Sequence, residues 1–245
     1  MTQWRLIIDG KSPSLSNMVR DLECLDHVLS GRDKGVLRVY DWDEPAVTIG
    51  HHLKHFSMFD NNFNIPVISR PTGGGAVLHK HDITFSLSVP EKDCFSGGIT
   101  NSYLRISRIF AMALKKCGMH VQMEGKREQF SRVCFDRSSP GELVFAGRKI
   151  LGLALLRCRG CLLFQGVLPL HIDKDLIEPV FGPGRAENCI GILDAFPGFP
   201  PSAFIDHLAE AFASEMGVSL FQGNNHDADC KKTDKGKVYS RGYEI

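Results

Sequence analysis

Ile83-Thr84-Phe85-Ser86-Leu87-Ser88-Val89 alternates apolar and small polar residues with a period of two, the signature of a strand whose faces meet different surroundings. Just before it, Arg70-Pro71-Thr72-Gly73-Gly74-Gly75-Ala76-Val77-Leu78-His79 places three adjacent glycines between that strand and a shorter one at 66–69. Further back, residues 36–40 and 46–49 read as strands joined by the turn Asp41-Trp42-Asp43-Glu44-Pro45, because proline is excluded from a central ladder position. Before these, Met18, Leu22, Leu25 and Leu29 recur on one helical face, with Ser14 or Ser16 as the cap and Gly31 as the stop.

Downstream, Thr100 is expected to cap a helix whose apolar side carries Ile106, Ile109, Phe110, Ala113, Leu114 and Cys117, ending at Gly118. Residues 142–146, the turn Gly147-Arg148 and residues 149–157 read as a hairpin, residues 161–168 as a further strand, and residues 202–216 as a last amphipathic helix. Hairpins with helices before, between and after them predict an α+β fold, one sheet covered by helices, as a single domain over 1–223. The polar stretch 125–141 is expected to be a long loop, and the charged segment 224–245 a poorly ordered tail.

A net charge of +1 over 245 residues creates no field that would gather nucleic acid or an anionic membrane. The first residues lack a charged segment followed by a long apolar run, and no apolar stretch is long enough to span a bilayer, so a soluble, cytoplasmic protein is expected. The eight cysteines are scattered and read as reduced thiols. Cys158 and Cys161 have the spacing of a zinc half-site, but no second pair accompanies them, and two ordinary thiols near a hairpin turn suffice. His51, His52 and His55 lack carboxylates or thiols beside them, so no metal is predicted.

Three motifs carry chemistry. The glycines let the backbone approach a ligand and aim amides at an anion, but the loop lacks the lysine and hydroxyl residue of a P-loop and does not open a helix. In Gly147-Arg148-Lys149-Ile150-Leu151-Gly152, the Lys149 ammonium is a point charge suited to stabilising negative charge on an acyl carbonyl. Cys134, within Arg132-Val133-Cys134-Phe135-Asp136-Arg137, is the candidate nucleophile. A free thiol with a pKa of about 8.5 is only slightly ionised at neutral pH, and Arg132, Arg137 or Lys149 nearby in space would raise the thiolate fraction.

Together, and in this order, the motifs resemble lipoate protein ligases and the cysteine-dependent octanoyltransferases, over roughly the first 170 residues. Supporting pieces are Ser16-Asn17-Met18 with Asp21, Tyr40-x-Trp42, and Pro45-Ala46-Val47-Thr48-Ile49-Gly50. The resemblance implies an α+β domain with a mixed sheet, shared with biotin protein ligases. It implies that Cys134 and Lys149 are catalytic. It further implies that Arg70, Gly73, Gly74, Gly75, Ala76, His79, Gly147, Gly152, Ala154, Gln165 and Gly166 bind the substrate around a narrow apolar tunnel.

Two mechanisms lie within this resemblance. Ligases use ATP and magnesium to form an acyl adenylate; transferases pass octanoyl from acyl carrier protein through a cysteine thioester and hold no tightly bound cofactor. The Cys-Phe-Asp segment and a length that leaves little room for the further C-terminal domain of many ligases favour transfer. The implied acceptors are lipoyl domains of 2-oxoacid dehydrogenase complexes or the glycine cleavage carrier protein, with neither nucleic acid nor membrane involved. A non-catalytic relative that binds lipoyl domains is the third reading. The sequence departs from the family pattern at Lys80, at Leu153-Ala154-Leu155 and at Gln165, changes expected to remove polar groups near the acyl carbonyl.

Overall fold

The structure is a computed structural model that describes residues 1–53, 65–95, 97–123, 141–223, 239–240 and 243–244. In chain order the elements are β1 (Thr2–Ser12), α1 (Ser14–Leu29), β2 (Val36–Trp42), β3 (Ala46–Gly50), β4 (Val67–Arg70), β5 (Val77–His79) and β6 (Asp82–Pro90). There follow α2 (Glu91–Cys94), α3 (Gly98–Lys116), β7 (Gln122–Met123), β8 (Leu143–Phe145), β9 (Arg148–Lys149), β10 (Gly152–Cys158) and β11 (Cys161–Pro169). The last are α4 (Lys174–Phe181), α5 (Ile192–Ala195), α6 (Pro201–Met216), β12 (Val218–Gln222), β13 (Tyr239–Ser240) and β14 (Tyr243–Glu244).

The main sheet has the order β10-β11-β6-β2-β1-β12. β1 runs parallel to β2 and β12, whereas β2, β6, β11 and β10 pair antiparallel in turn, so the sheet is mixed and the fold α+β. On one face, Phe85 and Phe164 pack with Ile106, Phe110 and Leu114 of α3 and Phe204, Leu208 and Phe212 of α6. Each such side chain stabilises the fold by roughly 1.5–3 kcal/mol when fully buried. On the other face, Leu22, Leu25 and Val28 of α1 cover Ile7, Val36 and Leu163. The small sheet β4-β3-β5 lies beside α1, where Met18 meets Tyr40, Trp42, Ala46 and Ile68.

The alternation that predicted β6 has an unexpected cause. Phe85, Leu87 and Val89 enter the main core as expected, but Thr84, Ser86 and Ser88 are buried too, facing α1 rather than water. Ser86 donates there to the buried Asp21 and Thr84 to Asp82, whereas the buried Ser88 hydroxyl has no hydrogen-bond partner.

Local chemistry moves several boundaries. α1 begins directly after Pro13, with no side-chain cap; the Ser14 hydroxyl donates to Glu44 instead, and Asn17 N–H bonds Pro13 C=O. α3 starts before Thr100 because Gly97 and Gly98, at φ 111° and 89°, make a left-handed entry that other residues avoid. β2 runs on through Trp42, whose indole N–H donates to Thr84, leaving the turn to residues 43–45. The expected strand 149–157 divides at Ile150 and Leu151, both fully buried, so that β9 closes the β7-β8-β9 sheet and β10 joins the main one. Cys158 and Cys161 face each other across a two-residue turn, Arg159 (φ 48°) and Gly160 (φ 78°). The stretch 124–140, and with it nearly all of the expected loop, lies outside the described residues, as does most of 224–245.

Candidate functional site

The glycine loop spans β4 and β5, and the side chain just before it holds it in shape. Arg70, 5% exposed, donates through Nη2 to the carbonyls of Gly73 (2.6 Å) and Gly75 (2.8 Å), and through Nη1 to Thr48 O (3.2 Å). Its Nε donates to Thr72 Oγ1 at 3.2 Å. In a trans peptide the N–H opposes the C=O, so the Gly74 and Ala76 amides are turned away from the guanidinium. Gly74 takes φ 95°, and β3 approaches so closely that a Cβ on Gly50 would lie 2.2 Å from Gly74 O. Glycine is required at both positions for these different reasons.

Two buried carboxylates stand behind this loop. Asp82 Oδ2 lies 3.1 Å from His79 Nδ1, His79 Nε2 lies 2.9 Å from Thr48 Oγ1, and the His79 ring stacks on Trp42 at 4.0 Å. Asp21, fully buried, accepts from Arg38 (2.7 Å) and Ser86 (2.7 Å) on one oxygen and from Tyr40 (2.8 Å) and Gln165 (2.7 Å) on the other. Gln165 in turn accepts from Thr72 at 2.8 Å. Burial works against the Arg38 charge, but Asp21, Tyr40 and Asp9 together raise its pKa above the ordinary value. The Tyr40 hydroxyl is held well above its ordinary value, first by burial and then by the Asp21 charge.

Between the glycine-loop side and the main sheet lies a narrow cavity of about 30 Å³. Its walls include Met18 of α1, Trp42 of β2, Thr48 of β3, Arg70 of β4, His79 of β5, and Gly152, Leu153, Ala154, Gln165 and Gly166 of β10 and β11. A larger open recess of about 1030 Å³ lies elsewhere, lined by Arg148, His171, Asp173, Glu187 and Asp194 among others. Its walls carry both signs of charge, so the narrow cavity, where Arg70 and His79 of the glycine-loop motif meet Gly152 of the lysine motif, is the better candidate for an apolar group.

The structure thus gathers Arg70, His79, Gly152, Ala154, Gln165 and Gly166 around one cavity. Gly166 is needed where it stands, since a Cβ there would meet the Phe85 ring at 2.2 Å and Leu153 Cδ2 at 2.8 Å. The Ala76 methyl packs instead with Val47 and Val180 in a separate apolar cluster. A Cβ on Gly73 would meet open space, and Gly75 contributes the carbonyl held by Arg70. Gly147 takes φ 73° in the β8–β9 turn. Lys149 is 4% exposed and donates to Glu142 Oε1 at 2.7 Å. Cys134 lies outside the described residues.

Of the departures noted in the sequence, Lys80 pairs with Asp173 at 2.6 Å, and Leu153 and Leu155 pack with the main core. Gln165 adds a polar link, since it bridges Thr72 and Asp21. Thr48 and Thr72 lie inside motifs legible in the sequence, which gave them no role of their own, and Asp82 and Glu142 lie a few residues beyond such motifs. Among the described residues no group of three or more histidines, cysteines and carboxylates is placed to hold a metal ion, and no helix is long and apolar enough to cross a membrane.

Architecture and glycine loop together define a lipoate-ligase type of catalytic fold. A crystal structure of lipoate-protein ligase A bound with ATP shares it at a TM-score of 0.70 and 21% identity, over 90% of this chain and 88% of that one. The biotin protein ligase from Aquifex aeolicus in complex with biotin and ATP shares it more distantly, with a TM-score of 0.51 at 9% identity, over 87% and 70%. The family model for the lipoyl protein ligase A/B catalytic domain matches residues 13–213, and the chain belongs to that family. The octanoyltransferase LipM of Kyrpidia tusciae is 31% identical over 249 aligned positions, covering 91% of this chain and 90% of its own. That of Carboxydothermus hydrogenoformans is 32% identical over 182, covering 71% and 68%.

Proposed function

We propose that this chain is an octanoyltransferase that moves an octanoyl group from a carrier thioester to the lysine of a partner's lipoyl domain, by way of Cys134. The observation that carries this reading is the narrow cavity, bounded by the arginine that holds the glycine loop and by Gly152, Ala154 and Gly166 of β10 and β11. It occurs in a chain whose curated relatives are named octanoyltransferases. A cavity of this volume takes an extended acyl chain only as its walls spread, and the unbranched Met18 side chain is suited to give way.

In the first step the Cys134 thiolate attacks the donor thioester carbonyl; a carbon–sulfur bond forms to Cys134, and the carrier leaves as a thiolate that takes up a proton. In the second, the acceptor lysine amine attacks the acyl-Cys134 carbonyl. A carbon–nitrogen bond forms, the bond to Cys134 breaks, and the amine's proton is released. Activation resides in the donor thioester, so the route uses no ATP. Lys149 begins the short segment leading to Gly152 in the cavity wall, and its ammonium is the group we assign to stabilising the carbonyl oxygen as it gains charge. The lipoyl domain is the acceptor, with acyl carrier protein as donor.

Intact-mass spectrometry of an unmodified lipoyl domain tests this, with octanoyl acyl carrier protein, or with lipoate, ATP and magnesium, as donor. An octanoyl gain from the carrier that disappears in Cys134→Ala is the expected outcome. A lipoyl gain that requires ATP and survives the substitution would assign the chain to ligation, and no gain from either donor would make it a binding protein.

A further inference from the structure

The buried hydrogen bonds behind the glycine loop have a direction, and it begins at Asp21. A carboxylate only accepts, and both Asp21 oxygens are occupied: Oδ1 by Arg38 and Ser86, Oδ2 by Tyr40 and Gln165. Gln165 must therefore present its NH2 to Asp21, which turns its carbonyl oxygen toward Thr72. The Thr72 hydroxyl donates to that oxygen, leaving a lone pair for the Arg70 Nε–H. Arg70 then spends its Nη2 on the Gly73 and Gly75 carbonyls, fixing the orientation of the two peptides that follow them.

We propose that Asp21, Gln165 and Thr72 are positioning residues for the glycine loop, with Asp21 setting the loop's peptide orientation through Gln165, Thr72 and Arg70. Gln165 lines the cavity, but its amide is engaged on both sides, so its role is to orient others rather than to bind the acyl group. Asp21 itself is held by three other donors, so removing Gln165 leaves the buried carboxylate satisfied by Arg38, Tyr40 and Ser86. The functional half of this inference rests on the transferase reading above; the structural half does not.

Gln165→Met keeps the side-chain length but replaces the amide donor and carbonyl acceptor by a weakly accepting thioether, and Thr72→Val removes the next link. Amide hydrogen exchange of residues 70–79 reads loop order without reference to activity. Both variants should exchange faster there than wild type, by more than the general rise that follows from the buried hydrogen bonds each removes. In octanoyl transfer to a lipoyl domain, each should lower kcat by up to about a hundredfold, the lower end of the roughly 10²–10³ that outright loss of an oxyanion donor costs, with KM changed less. Because the links act in series, Gln165→Met with Thr72→Val should cost no more than the worse single variant. Gln165→His, whose ring offers one donor and one acceptor, should restore most of kcat. Unchanged loop exchange in Gln165→Met, or single effects that multiply in the double variant, would overturn the relay. Faster loop exchange in a protein that transfers from no donor would uphold the relay and sink the transferase reading instead.

Discussion

Lys149 Nζ donates to Glu142 Oε1 across 2.7 Å, two opposite charges buried together in the β8–β9 hairpin. Removing one member of a buried ion pair costs about 3–5 kcal/mol as a rule, whereas removing both is far milder. Lys149→Met should therefore lower the thermal midpoint, and adding Glu142→Gln should recover much of that loss. Octanoyl transfer should be lost in both, because neither restores the ammonium. Recovery of transfer along with stability would show that Lys149 serves only the fold.

Gly50→Ala tests how closely β3 supports the loop. The added methyl would meet backbone alone, at 2.2 Å from Gly74 O and 2.8 Å from Gly73 C, so no side chain can swing aside. Overpacking of this kind costs about 1–3 kcal/mol. The expected result is a lower unfolding midpoint together with a loss of transfer larger than the stability change explains. A variant that loses stability but transfers at the wild-type rate would mean that the loop can move without consequence.

What the sequence made legible followed from local periodicity. The β6 alternation, the apolar stripes of α1 and α3 and the glycine run are each short-range patterns, and each marks an element or loop in the structure. β1 and β12 carry no comparably clear short-range pattern; they pair with each other at the sheet edge, from near opposite ends of the chain, and β12 is only five residues long. α4 carries Pro179 inside it, a residue that ordinarily argues against a helix. The site divides in the same way. Arg70 and the glycines are contiguous, but Gln165 reaches Asp21 across 144 positions of chain, and that pairing exists only once β11 and α1 are packed.

Cys24 should be chemically silent in the native protein. Burial, reinforced by the nearby Asp21 charge, pushes its thiol up to about 12, so almost no thiolate exists at pH 8. Brief treatment with iodoacetamide followed by peptide mass spectrometry should leave Cys24 unmodified until denaturant is added, whereas the partly exposed Cys158 should be labelled in the native state. Native labelling of Cys24 at a rate near that of Cys158 would mean that α1 opens readily from the sheet.

Asp173 joins two devices at the start of α4, capping the helix by accepting from Leu176 N–H at 3.2 Å and pairing with Lys80 at 2.6 Å. The Lys80 hydrogen bond, first, holds its carboxyl below the ordinary 3.8; burial opposes, and the Lys80 charge and the Leu176 amide add to the lowering. A carboxyl lowered by folding binds fewer protons in the native than in the unfolded state. Its stabilisation is therefore complete above the unfolded pKa and is lost as pH falls through the folded one. Asp173→Ala should thus cost about 1 kcal/mol at pH 7, the ordinary worth of an N-cap with an exposed ion pair adding little. The difference from wild type should hold at pH 5 and shrink below the ordinary carboxyl range. Urea unfolding midpoints of the two proteins at pH 7, 5 and about 2.5 measure it, and a gap that stays constant down to the lowest pH would show that the Asp173 charge contributes nothing to the effect of the substitution.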